Sequence, residues 1–205
     1  MGGLPKQMVP LTFEVSRGCP FQCDFCALTG LGTRYHTRPL ETLARDVTLG
    51  RQMLRGLVPE WKLIIAMLLD NNVAGRWSYL PDFRRTMETL DLLWGGAVTF
   101  NVVSHREHVA MLARSGCRML FTGLESFNPE AIQDMNKRQD KPEVTRRVIY
   151  LCHGHGISLI SALLVNAQVD TVDYIRSIPA GLKESGLLVQ AFFAFECPLP
   201  GMPLF

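Results

Sequence analysis

Ser16-Arg17-Gly18-Cys19-Pro20-Phe21-Gln22-Cys23-Asp24-Phe25-Cys26 follows directly on the first apolar run of the chain, Leu11–Ser16. The cysteines are spaced C-x3-C-x2-C, so three thiols fall within eight residues of one loop. Three thiolates this close can hold three corners of one metal cluster. No fourth cysteine lies nearby, and an unfilled position on a metal is where a small molecule binds and reacts. The other cysteines, Cys117, Cys152 and Cys197, are scattered singly in apolar surroundings and read as buried free thiols, with Cys197 the exception to watch, because it ends the last expected strand. Structural zinc is the alternative reading of the cluster. It normally requires a second C-x2-C or H-x3-H pair, which the chain lacks, although His36 is a possible stray ligand.

Outward from this loop, short apolar runs alternate with amphipathic segments. The expected strands are Leu11–Ser16, Leu63–Leu69, Val98–Val103, Arg118–Leu124, Ser158–Val165 and Leu187–Phe195. The expected helices have readable ends. Pro39 opens the first, with Leu40, Leu43, Val47 and Leu54 on one face, and Pro81 opens the second, with Phe83, Met87 and Leu90 inward. Ser104 with Glu107 has the form of a capping box, and Gly116 stops that helix. Asn128-Pro129 reads as an N-cap followed by a first-turn proline. A fifth helix runs from Pro142 to about His153 and stops at Gly154; a sixth begins near Thr171 and is disturbed at Pro179. Strand–helix alternation implies a parallel sheet with its functional residues at the C-terminal strand ends. Periodicity does not choose between an open doubly wound sheet and a partial barrel.

The 205 residues suffice for one sizeable domain. A net charge of +2 gives no case for nucleic acid or an anionic membrane as partner. The longest apolar runs, Leu63–Leu69 and Leu159–Val165, are far shorter than a membrane span. Met1–Lys6 carries no hydrophobic signal core, so a cytoplasmic protein is expected.

With its aromatic Phe25 before the last cysteine, the loop resembles the signature of the radical S-adenosylmethionine (SAM) superfamily, in the branch whose full-length members carry a B12-binding domain upstream. Two further stretches carry the same resemblance in the same order. Gly123-Leu124-Glu125-Ser126-Phe127-Asn128-Pro129-Glu130, with Met135-Asn136-Lys137-Arg138-Gln139, is similar to that branch's fourth-strand signature. Pro198-Leu199-Pro200-Gly201-Met202-Pro203 resembles its sixth-strand element. The resemblance implies a partial (β/α)6 TIM-like barrel of parallel strands with outer helices. It implies a [4Fe–4S] cluster on Cys19, Cys23 and Cys26, and reductive cleavage of SAM to methionine and a 5′-deoxyadenosyl radical. No catalytic residue is expected beyond the cluster and SAM sites.

By the same resemblance Phe25, Asp70, Asn71, Asn72, Glu125, Ser126 and Asn166 are expected around the cofactors. Asp70 would face the SAM ammonium, and Glu125 and Ser126 the ribose and methionine portion. Asn166 would bond the carboxylate or adenosine. Asn71 departs from the branch's usual Asp-Asp-Asn, and Val165–Thr171 from its usual fifth-strand ending. A turn at Asp70–Asn72 and a helix cap at Ser126 or Asn128 are the plainer readings. Arg34, His36 and Arg38 read as a solvated face rather than an anion site, and His153 and His155 as capping or surface residues. An electron donor such as flavodoxin or ferredoxin is expected, with an unidentified substrate. Cobalamin enters only through a further domain or partner. Residues 1–10 read as a lead-in and residues 11–205 as the core without flanking domains, with a methyltransferase or rearranging enzyme as the expected whole. A noncatalytic iron–sulfur or zinc module is the rival.

Overall fold

Six parallel strands stand side by side in chain order. In the computed structural model, which describes residues 8–55, 57, 63–137, 144–187 and 191–205, they are β1 (Met8–Phe13), β4 (Leu63–Leu68), β5 (Leu93–Ala97), β6 (Cys117–Glu125), β7 (Ser158–Val165) and β8 (Ala191–Phe195). The order is β1-β4-β5-β6-β7-β8, and every neighbouring pair is parallel. β1 and β8 do not pair with each other, so the wall is an open, partial barrel. Two short strands, β2 (Ser16–Arg17) and β3 (His36–Thr37), form a separate antiparallel clip.

Each crossover places a helix on the outside. Helix α2 (Leu40–Leu54) buries Leu43 and Val47, and α3 (Leu80–Leu90) buries Leu80, Phe83 and Met87. Phe83 meets Trp94 of β5 edge to face at 5.4 Å, and the Trp94 indole N–H donates to the Ser115 carbonyl at 3.0 Å. Burying each large side chain of this layer contributes about 1.5–3 kcal/mol. β7 alternates strictly: Leu159, Ser161, Leu163 and Val165 are buried, and the residues between them are half-buried. One face therefore packs on helices while the other lines a partly open interior.

Several elements depart from expectation. The third strand is Leu93–Ala97, not Val98–Val103. Its Leu-Trp-Gly-Gly-Ala sequence has weak strand propensity, but a Cβ at Gly95 or Gly96 would press at 3.2 Å on Met119, Leu68 or Val73. Phe100–Val103 is a short helix, α4, burying Phe100, Val102 and Val103. Ser104 is the C-cap of α4 rather than an N-cap: its hydroxyl donates back to the Phe100 carbonyl at 2.9 Å, and His105 takes the N-cap position of α5 (Arg106–Arg114). β1 begins at Met8, three residues earlier than expected. Asn128 does cap α6 (Pro129–Asp134), accepting from the Glu130 N–H. α7 (Thr145–Gly154) runs through Gly154, and the left-handed residue beyond it is Gly156. α8 (Val172–Ser185) continues through Pro179, which lies on its exposed side. There the carbonyl four residues back can turn to water. Pro142 and residues 188–190 of the expected last strand lie outside the described residues.

Candidate functional site

The cysteine loop is closed at its base before any cysteine is reached. Ser16 pairs with Thr37 and Arg17 with His36. The Arg38 N–H donates to the Val15 carbonyl at 2.8 Å. Gly18 has φ +78°, and a Cβ there would lie 2.5 Å from the Arg34 carbonyl oxygen, so only glycine lets the two legs of the loop approach. Within the loop the Cys26 N–H donates to the Cys23 carbonyl at 3.1 Å, and α1 (Ala27–Gly30) starts at once, with Cys26 as its N-cap. Cys23 is buried, and Cys19 and Cys26 are half-buried. Phe25 is half-buried beside them.

Asp70 ends β4 and bonds to the entrance of this loop. Its carboxylate accepts from the Val15 N–H at 3.1 and 3.2 Å, from the Ser16 N–H, and from the Ser16 hydroxyl at 2.6 Å. Burial raises its pKa, against the pull of these donors. Through these bonds Asp70 fastens the cysteine loop to the sheet. Asn71 is exposed. Asn72 is fully buried, its side-chain amide donates to the Thr99 hydroxyl at 3.0 Å, and its side-chain oxygen Oδ1 has no partner. It also reaches Cys19. Burial pushes the Cys19 thiol up, while the Phe21 N–H, the Asn72 side chain and the charge of Lys137 favour its thiolate.

Glu125 ends β6 at φ +58° and is buried. It pairs with Lys137, which also donates to the Gly123 carbonyl at 2.7 Å and stands 5.9 Å over the Phe25 ring. A Cβ on Gly123 would collide with both members of the pair. The turn carrying Lys137 holds the cysteine loop as well. The Asp24 N–H donates to the Met135 carbonyl at 3.2 Å, and the Asn136 amide donates to Gln22 O at 3.1 Å and Asp24 Oδ1 at 3.2 Å. The C-terminal segment closes the other side. The Leu204 N–H donates to the Asp24 carbonyl at 3.2 Å, and a Cβ on Gly30 would lie 2.4 Å from the Gly201 oxygen. The three stretches that carried the resemblance thus meet around one loop.

Ser126 and Asn166 both hydrogen-bond within the protein. The Ser126 hydroxyl lies 2.7 Å from the Tyr174 hydroxyl and accepts from the Asn128 N–H at 3.0 Å. The Asn166 amide donates to Asp134 at 2.7 Å, and its oxygen accepts from the Gln168 and Val169 N–H groups. Both residues shape the turns after β6 and β7. Arg38 bonds Glu14 O and Asp46, whereas Arg34 and His36 are exposed. The His155 ring lies 2.9 Å from the Leu151 carbonyl at the end of α7, and His153 is exposed. Cys117 and Cys152 are buried, and burial pushes the Cys152 thiol up to about 12. Cys197 is exposed, which corrects the reading of a buried thiol.

Ser16, Lys137, Tyr174 and Glu196 had been assigned no role. Glu196 follows β8 with Oε1 buried and unpartnered, and burial together with Asp134, Asp170, Asp24 and Glu125 raises its pKa. Ser16 and Lys137 lie inside quoted signatures, but twelve residues from Glu125 the pairing of Lys137 follows no local spacing.

The radical SAM superfamily model matches residues 13–176, most of the chain. The chain belongs to that superfamily. It is similar to the bacteriochlorophyllide d C-12(1)-methyltransferase of Chlorobaculum tepidum, with 22% identity over 98% of this chain and 42% of that protein. It is also similar to the hopanoid C-2 methylase of Rhodopseudomonas palustris, with 23% identity over 94% of this chain and 36% of that protein. Among solved structures, the methyltransferase TsrM from Kitasatospora setae, with cobalamin and a [4Fe–4S] cluster bound, superposes with a TM-score of 0.71 at 18% identity. That match covers 94% of this chain and 38% of TsrM. The chain spans about two-fifths of the length of these relatives. It is a radical SAM core related to cobalamin-dependent radical SAM methyltransferases, and the family implies a [4Fe–4S] cluster and SAM.

The donor set suits such a cluster. Three thiols share one loop. The Lys137 charge and Asn72 amide beside Cys19 are suited to an anionic, sulfide-rich group. Among the described residues, no three His, Cys, Asp or Glu side chains, the loop cysteines included, are grouped so as to hold a single metal ion.

Proposed function

We propose that this chain is the catalytic core of a radical SAM methyltransferase, with Cys19, Cys23 and Cys26 holding a [4Fe–4S] cluster. The observation that carries the reading is the convergence on the cysteine loop of Asp70–Asn72, the Glu125–Lys137 pair and the C-terminal segment, all at the C-terminal ends of the strands. When bound, the cluster supplies the electron that cleaves SAM to methionine and a 5′-deoxyadenosyl radical.

The protein's part is holding and shielding. Asp70, the β2–β3 clip and the Asn136 amide fix the loop that carries the three thiols. Glu125 and Lys137 give that space a compensated pair of charges, able to exchange partners with the ammonium and carboxylate of SAM. Phe25 and the C-terminal segment pack beside the loop. Asn72 is the strongest candidate for a further ligand contact, because its buried oxygen has no partner. Cobalamin, which TsrM binds, would be held by another domain or a partner, and the substrate would enter at the open interior. An electron donor such as flavodoxin or ferredoxin is part of the proposal.

Anaerobic reconstitution tests it. About four iron and four sulfide per chain are expected, lost with Cys19→Ala, Cys23→Ala or Cys26→Ala and kept with Cys152→Ala. The reduced protein should form 5′-deoxyadenosine from SAM. Tight stoichiometric zinc in place of iron would overturn the cluster assignment. A loaded cluster that never cleaves SAM would leave a noncatalytic iron–sulfur module.

A further inference from the structure

The outer helix layer carries its charge unevenly. Arg106 and Arg114 begin and end α5, Arg118 follows Cys117 at the start of β6, and Arg146 and Arg147 lie in the first turn of α7. All five are exposed, and among the described residues none of them forms an ion pair. Six arginines elsewhere are matched: Arg17 with Glu14, Arg38 and Arg45 with Asp46, Arg84 with Glu88, Arg85 with Asp82, and Arg176 with Asp173. On α5, α7 and the first residues of β6 the only carboxylate is Glu107. The whole chain is only +2, so this face holds more than its entire excess of positive charge. Glu184 of α8 lines a neighbouring cavity together with Arg146, without an ion pair between them.

Two cavities follow the seam between α5 and α7. One, of about 480 Å³, is lined by Ser104, Arg106, Arg147, Tyr150 and Leu151. The other, of about 590 Å³, is lined by Ala110, Ala113, Arg114, Arg118, His155 and Gly156. Each therefore joins two arginines to small or apolar residues with no carboxylate in its lining, a setting that favours an incoming anion. Two guanidinium groups are already anchored on neutral partners. Arg118 Nη1 donates to the Cys117 carbonyl at 2.7 Å and the Ala113 carbonyl at 3.3 Å, and Arg146 stands 5.6 Å over the Tyr150 ring. Such anchoring fixes a charge in place without neutralising it, so less side-chain freedom is lost when a partner binds.

We propose that the α5–α7 seam is a docking groove for an acidic segment of a partner protein. Its carboxylates would meet the arginines, and its small apolar side chains would enter the cavities beside Ala110, Ala113 and Leu151. Nucleic acid suits the groove less well. Tyr150 is the aromatic ring in the two linings, and Arg146 stands over it, which leaves no open platform for stacking a base. A bilayer suits it less well too, because no aliphatic side chain larger than alanine is exposed in either lining.

The test is fluorescence anisotropy of a fluorescein-labelled peptide of alternating Glu and Ala, about 12 residues long, titrated with the cluster-loaded protein at about 50 mM salt. Saturable binding with a Kd of about 100 μM or tighter is expected, weakening as salt rises. Arg106→Gln with Arg147→Gln, and Arg114→Gln with Arg118→Gln, should each weaken it about tenfold or more. Arg84→Gln with Arg176→Gln, which removes ion-paired arginines from α3 and α8, should leave it unchanged. Iron content should be the same in all three variants. If the Arg118 replacement fails to fold, the Arg106 and Arg147 pair decides alone. Absence of saturable binding up to about 1 mM, or an equal loss in the Arg84 and Arg176 variant, would overturn the groove. So would tighter binding of a thymidine oligonucleotide of the same length or of phosphatidylserine vesicles.

Discussion

Removing the ammonium of Lys137 would leave the Glu125 carboxylate buried beside the cysteine loop with its counter-charge gone. Lys137→Ala should therefore destabilise the fold by about 3–5 kcal/mol, the usual cost of breaking a buried pair. The double replacement Glu125→Gln with Lys137→Met should cost distinctly less. Urea unfolding of the three proteins checks this, and a double variant that loses as much as Lys137→Ala or more would show that the stranded Glu125 charge is not what costs stability. Glu196 makes the opposite case. Its pKa is raised by burial and by Asp134, Asp170, Asp24 and Glu125. The folded state thus binds its proton more tightly than the unfolded chain does. Stability from this group is lost as pH rises through the folded pKa and regained as pH falls toward the unfolded value. Glu196→Gln should raise the thermal midpoint at neutral pH, with the advantage shrinking in mild acid. Residues of this kind were the least legible in sequence. Asp70, Asn72 and Glu125 stand at strand ends that pattern reading can find. Lys137 and Glu196 acquire meaning only from partners far away in the chain.

At the level of elements, the cysteine loop depends on a few close backbone approaches. Asp70→Ala would orphan the buried N–H groups of Val15 and Ser16, each worth about 1–3 kcal/mol. Cluster assembly should then fail along with stability, and iron content measured beside unfolding would detect a loss confined to SAM affinity instead. Gly30→Ala would drive a Cβ into the Gly201 carbonyl. It should release the C-terminal segment, read as faster amide exchange at Leu204, whose N–H bonds Asp24. The same backbone reasoning explains which elements could be read in advance. α2 and α3 carry periodic apolar faces that end up buried, and Asn128 caps α6 as its side chain dictates. β5 was hidden because Gly95 and Gly96, required by close neighbours, dilute its strand character. The β-branched run after it advertised a strand, yet it packs as α4 under the strand ends.

For the molecule as a whole, alternation of strands and helices fixed the parallel order, while the choice between sheet and barrel rested on the resemblance. Periodicity sees which residues face a core, not whether the first and last strands meet. Here they do not, and β8 shows the consequence. Successive side chains of a strand point to opposite faces, yet Phe192, Phe193 and Phe195 are all exposed, with Leu199 and Phe205 exposed further along the chain. Neither face of β8 is well covered by the described residues, among which it stands as the edge strand of the sheet. An apolar strand with a free edge is a template for pairing with another chain. The 205-residue protein should therefore self-associate reversibly at about 100 μM, as seen by sedimentation velocity. Phe192→Ser with Phe195→Lys should suppress the association. It should leave the thermal midpoint nearly unchanged, because exposed side chains contribute little to folding. A wild-type chain that stays monomeric at that concentration would mean that the edge is already protected. Association indifferent to the two replacements would move the contact elsewhere, with the exposed Leu49 and Met53 on α2 the next apolar surface to test.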